Sequence, residues 1–383
     1  MLVDAGMVPL PPDVARLAFI LGIGLSVWLY DRWHLSCGSI ITPAYLALHF
    51  DSPQALGVTL LTAALTYGVV YIAMPRFVVM TGKTRFLALM PVAILVSMAL
   101  HTGPGGQGTA GTSVASDVLV GIGFIVPGLL AHDVATQGAR NTAFSVSSLT
   151  VGLAIVTYAL AGVALTPAHR ETAELFAFET SWLPLAVLLS VLASVALSDR
   201  YGIRAGGFVG AAYIAMLSTS PFELITLGVI AWLTHAIVVR GLMPRAIVFG
   251  RRKFAAMLLV AATLSWIWTL VRGSIVGMPP DPLGYGAFAL VSMTLPGLLA
   301  NDAERVGGRR MALGLVLATT FTLSGVLFAR SLRAGDDAFF VALCGSVLVA
   351  ASLSLLTSAR WMRESPLIDQ TTPPSQNPCV RTS

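Results

Sequence analysis

The chain has 383 residues, 56% hydrophobic and only 11% charged, with 23 basic side chains against 18 acidic ones. A soluble domain carries roughly a quarter charged residues, and two soluble cores would need far more polar surface to cover them. This composition excludes a soluble two-domain protein and points to a membrane-embedded one. Cys37, Cys344 and Cys379 are scattered and the six histidines form no ligand pattern, so neither a disulfide framework nor a zinc site is indicated.

The leader, Met1 to Asp13, lacks a basic n-region, and the first apolar run, 14–30, ends in Trp28-Leu-Tyr-Asp-Arg32 rather than in a small-residue cleavage site. It reads as a permanent first helix. Further apolar segments follow at 36–50, 55–74, 86–100, 118–131 and 142–166. A second set lies at 182–198, 205–219, 222–239, 254–271, 284–300 and 311–329, with a last one at 338–357. Most are near the length of a bilayer-crossing helix. The tail, 358–383, is polar and proline-containing and is expected to be disordered and cytoplasmic. The expected fold is all-α and polytopic.

The two sets are copies. Asp31-Arg32-Trp33 recurs as Asp199-Arg200-Tyr201, Ser52-Pro53 as Ser220-Pro221, and Met74-Pro75-Arg76 as Met243-Pro244-Arg245. Gly82-Lys-Thr-Arg-Phe86 returns as Gly250-Arg-Arg-Lys-Phe254, and Pro127-Gly-Leu-Leu-Ala131 unchanged as Pro296-Gly-Leu-Leu-Ala300. The offset stays at 168 or 169 throughout, and it is Pro, Gly, Arg and Asp positions that match, not merely apolar ones. The units are 14–166 and 182–329, with 338–357 an extra helix.

Placing the basic loops near 75–85 and 240–253 in the cytoplasm, with all thirteen segments crossing, puts eighteen of the 23 Lys and Arg residues inside. Only Arg16, Arg170, Arg272, Arg330 and Arg333 then lie outside. That is the positive-inside bias, with an external N-terminus and a cytoplasmic C-terminus in a bacterial inner membrane. Matching basic loops on one face require an even number of crossings per unit, hence parallel repeats. The short second segment, with Pro43 in the first copy, carries the alternative of a re-entrant hairpin.

Gly250-Arg-Arg-Lys-Phe-Ala-Ala-Met257, Ile122-Gly-Phe-Ile-Val-Pro-Gly-Leu129 with its copy ending Pro296-Gly-Leu-Leu-Ala-Asn301, and Asp31-Arg32 leading to Pro43-Ala-Tyr-Leu-Ala-Leu48 resemble the PgsC/CapC family. The likeness covers 16–166 and 184–329. The family usually has one unit where this chain has two, and the Asn kept as Asn301 is His132 in the first copy. The first copy also has a Gly-rich insertion at Thr102–Thr112. The resemblance implies a membrane subunit of a poly-γ-glutamate synthase or capsule complex. Its expected partners are an ATP-dependent amide ligase with a Mur-ligase-like core, a further membrane-anchored capsule subunit, the polyanion itself and membrane lipid. ATP and Mg are expected on the ligase, none on this chain, and no catalytic residue is assigned here.

The residues themselves offer candidates beside plainer readings. No P-loop is present, and Gly103-Pro-Gly-Gly-Gln-Gly108 lies between membrane segments, where a dinucleotide fold has no place. Arg245, Arg251, Arg252 and Lys253, with the weaker first-copy set Arg76, Lys83 and Arg85, are candidates for docking the ligase or capturing a polycarboxylate; the alternative is topology signalling. Pro127-Gly128 and Pro296-Gly297 could break helices along a path, or let two helices pack closely. Asp133 and Asp302 are expected at a solvated helix end. Asp31-Arg32 and Asp199-Arg200 read as interfacial turns or as pairs between helices. Tyr45 and Tyr213 offer buried hydroxyls, His235 stands where the first copy has Tyr67, and Gly206-Gly-Phe-Val-Gly210 reads as a small-residue helix contact. Beside the synthesis and export role stand two alternatives, a secondary transporter for a small anion and a non-conducting scaffold; nucleic-acid binding is not expected.

Overall fold

The computed structural model describes residues 12–50, 53–77, 82–102, 125–160, 177–246, 248–275 and 289–334. The insertion at 102–112 therefore lies almost wholly outside the described residues, as do the extra segment 338–357 and the tail. The described residues are helical, without strands. In the first unit α1 is Pro12–Trp33, α2 Thr42–Leu48, α3 Pro53–Tyr67, α4 Gly82–Thr102, α5 Val126–Gln137 and α6 Ala139–Leu160. In the second, α7 is Leu183–Tyr201, α8 Gly210–Met216, α9 Pro221–His235, α10 Arg251–Ser274, α11 Ala289–Val306 and α12 Gly308–Ala334. Seven helices among the described residues are long and apolar enough to cross a membrane, and Arg85–Leu100 is a shorter apolar one.

The repeat extends to local irregularities. Both α3 and α9 widen into a π-helical turn, Gly68–Ala73 and Ala236–Leu242, directly before Met-Pro-Arg. α5 passes to α6, and α11 to α12, through a single glycine at positive φ, Gly138 and Gly307. An L-residue is strained in that conformation. Packing repeats as well: α3 lies on α5 as α9 lies on α11, and α2 on α6 as α8 on α12. Between units, α1 packs on α10 and α4 on α7, the exchange that a pseudo-two-fold axis generates.

The second segment runs end to end, but not as a helix throughout. After α7 closes on the left-handed Gly202, the chain turns back along that helix in non-helical conformation. Ser194 Oγ then donates to Gly207 O (3.3 Å) and Ser190 Oγ to Phe208 O (2.8 Å). The two-turn α8 completes the passage, and Met216 O accepts from Ala177 N (2.8 Å), which lies beyond the far end of α7. In the first unit Ser26 Oγ donates to Ile40 O (3.3 Å), and Ala44 packs on Gly22 one turn further along. Each serine hydroxyl satisfies a carbonyl that no helix partners. All six passes are described in the second unit, so the repeats are parallel. Most of the stretch Gly206–Gly210, expected as a helix contact, belongs to this non-helical passage instead, and its last residue, Gly210, opens α8. Gly206 and Gly207 sit at φ +75° and +78°, and a Cβ on Gly206 would lie 2.4 Å from Leu299 Cδ2.

Both Pro-Gly pairs sit at close helix contacts. α11 continues through Pro296, and Ser265 Oγ donates (3.0 Å) to Ser292 O, the carbonyl that Pro296 leaves without an amide. In the first unit Pro127 opens the described α5. A Cβ on Gly297 would stand 3.1 Å from Leu258 Cα and Met257 O, and one on Gly128 3.3 Å from Ala93 Cβ. Backbone atoms cannot yield as a side-chain tip can, so Gly297→Ala is expected to cost about 1–3 kcal/mol. Gly152→Ala, in a helix with no atom within 4 Å of the added methyl, should be neutral or stabilise by roughly 0.5–1 kcal/mol. Melting temperatures of the two variants in detergent should therefore move in opposite directions.

Candidate functional site

The passages lead to one face of the bundle, where the ends of α1, α5, α7 and α11 meet the start of α10. Two carboxylates anchor them. Asp133 Oδ2 accepts from Gly38 N at 2.6 Å, and Asp302 Oδ2 from Gly207 N at 2.8 Å, 95 residues apart in both units. Gly38 and Gly207 share a positive φ (+77° and +78°). Asp133 and Asp302 are only 8% and 4% exposed, so the expected solvated position is corrected: burial is sustained because a backbone N–H meets each carboxylate. Arg204 Nη1 adds a contact to Asp302 Oδ1 at 3.5 Å.

The units differ around this shared latch. In the first, Ser36 N donates to Gln137 Oε1 (2.8 Å), while Ser36 O accepts from Gln137 Nε2 (2.6 Å) and Ser145 Oγ (2.7 Å). The equivalent positions hold Ala205, Val306 and Gly314. There the contact is steric, with the Gly314 Cα side facing Ile203 and Arg204 O. One layer along, Tyr71 OH meets His132 Nδ1 (3.3 Å) with Arg85 over the Tyr71 ring (5.3 Å). The second unit has Asn301 in place of His132, its Oδ1 buried with no hydrogen-bond partner among the described residues. His235 Nδ1 lies 3.4 Å from Ala300 O, while its counterpart Tyr67 stacks on Tyr71.

The basic run opening α10 turns out to join the units. Arg251 lies over the Tyr30 ring (4.5 Å) and donates to Ser36 Oγ (3.1 Å). Arg252 Nε reaches both Asp31 oxygens at 3.1 Å, and Lys253 pairs with Glu304 within its own unit. Asp31 thus pairs across the unit boundary, whereas Arg32, Asp199 and Arg200 stand exposed at their helix ends. An exposed pair such as Arg252–Asp31 is worth at most about 1 kcal/mol. The half-buried Arg251, stacked and hydrogen-bonded, is the stronger half of the contact. Of the other predicted cations, Arg76 and Arg245 are exposed, Arg245 also bonding Gly241 O (2.8 Å), and Lys83 falls in the first turn of α4.

Behind the clamp, Tyr45 (3% exposed) and Tyr213 (0%) belong to one apolar core. They are equivalent residues of the two units within a core that both units share, as residues flanking a pseudo-two-fold axis are. Phe86 and Phe208, from different units, approach to 6.1 Å between ring centroids on the same face. Tyr213 OH is buried without a hydrogen-bond partner among the described residues. No sequence signal marked the Gly38–Asp133 and Gly207–Asp302 latches as contacts, although the common 95-residue spacing was available in the duplication.

Fold and face define a polytopic membrane protein of two parallel units, each with one broken pass held by a buried aspartate, joined about a cationic clamp. The family described as "Capsule biosynthesis CapC" matches at residues 21–143 and 189–312, more than half of the chain, and the chain belongs to it. It is 33% identical over 145 residues to the "Capsule biosynthesis protein CapC" of Bacillus anthracis, covering 38% of this chain and 90% of that protein. Identity to the "PGA biosynthesis protein CapC" of Bacillus subtilis (strain 168) is 31% over 145 residues, with the same coverage. No solved structure matches the chain.

Proposed function

We propose that this protein is the membrane subunit of a system making poly-γ-glutamate or a related polyanion, with its basic face in the cytoplasm of a bacterial cell. It holds an ATP-dependent, Mur-ligase-like amide ligase at that face and passes the product outward near the axis between its units. ATP and Mg belong to the ligase. The observation that carries this reading is the charge balance of the face. Four of its acids are engaged, Asp133 and Asp302 by backbone amides, Asp31 by Arg252 and Glu304 by Lys253, while Asp199 is exposed next to Arg200. Arg32, Arg76, Arg200, Arg240, Arg245 and Arg309 remain exposed. An arginine excess on a parallel duplicated face suits an acidic docking surface or a polycarboxylate.

The structure separates two groups that a single charge-neutralising variant would confuse. Replacing Arg76, Arg240 and Arg245 by glutamine should leave the melting temperature in detergent unchanged. It should also reduce co-purified ligase, and ATP- and glutamate-dependent polymer formation, at least tenfold. Replacing Arg251 and Arg252 should instead lower the melting temperature through the unit contact. A protein that purifies alone and carries a small anion into liposomes would establish the transporter reading instead.

A further inference from the structure

An apolar cleft of about 610 Å³ lies between α2, α3, α5 and α6 of the first unit. It runs from Leu46 and Phe50 at one end to Tyr67, Val134 and Ala139 at the end facing the basic surface, and none of the described residues lining it is charged. We propose that this cleft holds a hydrocarbon chain of an anionic phospholipid, with its headgroup beside Arg140.

Two observations choose this occupant. The first is volume. Along α6 the lining extends from Ala139 to Val151, about 18 Å of helix rise. A methylene takes on the order of 30 Å³, close to a water molecule's share of liquid volume, so the cleft accommodates one long acyl chain. The second is charge: Arg140, the residue after Ala139, is exposed at the basic-face end of the cleft, where a phosphate headgroup would sit.

The test uses the full chain in detergent, titrated with phosphatidylglycerol or phosphatidylcholine of identical chains and read by native mass spectrometry. The wild type should retain one phosphatidylglycerol preferentially. Ala64→Trp should weaken that retention at least tenfold. Ser147→Phe should do the same from the α6 side. Arg140→Gln should bring phosphatidylglycerol down to the level of phosphatidylcholine, and inorganic phosphate should not compete. Unchanged retention in folded Ala64→Trp and Ser147→Phe, equal binding of both lipids by the wild type, or a co-purified polypeptide displaced by those substitutions would each overturn the proposal.

Discussion

Asp302→Ala is expected to destabilise the detergent-solubilised protein by roughly 2–3 kcal/mol, the range for losing a hydrogen bond to a charged group while leaving its buried partner unmet. The lost partner is Gly207 N, 2.8 Å from Oδ2, in a passage where the backbone has no helix to satisfy it. Arg204 also loses its carboxylate. Asp302→Asn keeps an acceptor oxygen and should cost less. Asp133→Ala should cost less as well, despite the shorter 2.6 Å contact to Gly38 N. The first unit fixes the same stretch a second time, through Gln137 and Ser145 on Ser36. Arg200→Ala, exposed at the end of α7, serves as the reference and should lie within about 0.5 kcal/mol of wild type. Equal melting temperatures for Asp302→Ala and Arg200→Ala would mean that the broken pass is held by side-chain packing instead.

The architecture was largely legible because duplication imprints polar positions as well as apolar ones. Met74-Pro-Arg76 and Met243-Pro-Arg245 in register marked the duplication, and the charge parity predicted parallel units. The π-helical turns before those motifs were not legible, since the spacing of apolar residues does not distinguish a π turn from an α turn over six or seven residues. Asp133 and Asp302 read as solvated because each ends an apolar run. Their actual partners, the Gly38 and Gly207 amides, are 95 residues away, and a backbone donor leaves no trace in side-chain chemistry. Arg251 and Arg252 read as a free basic patch for the same reason. Their partners Tyr30, Asp31 and Ser36 belong to the other unit, so the contact exists only once the two copies pack together.

The tyrosines near the axis provide the second large effect, and the two substitutions at Tyr213 should diverge. Tyr213→Ala empties a fully buried aromatic site, for which aromatic-to-alanine changes cost about 3–5 kcal/mol. Tyr213→Phe keeps the ring and removes a hydroxyl that is buried without a described partner. An unmet hydroxyl carries a desolvation penalty of roughly 1–3 kcal/mol, so Tyr213→Phe should be neutral or stabilising in thermal unfolding. Activity then separates the roles of the residue. If the axis only binds the units together, Tyr213→Phe should make and export polymer at the wild-type rate. If polymer passes there, the hydroxyl is the polar group that a moving amide or carboxylate meets, and Tyr213→Phe should slow export while the protein remains at least as stable. Loss of stability in Tyr213→Phe would contradict both, because it would require a structural hydrogen bond from Tyr213 OH.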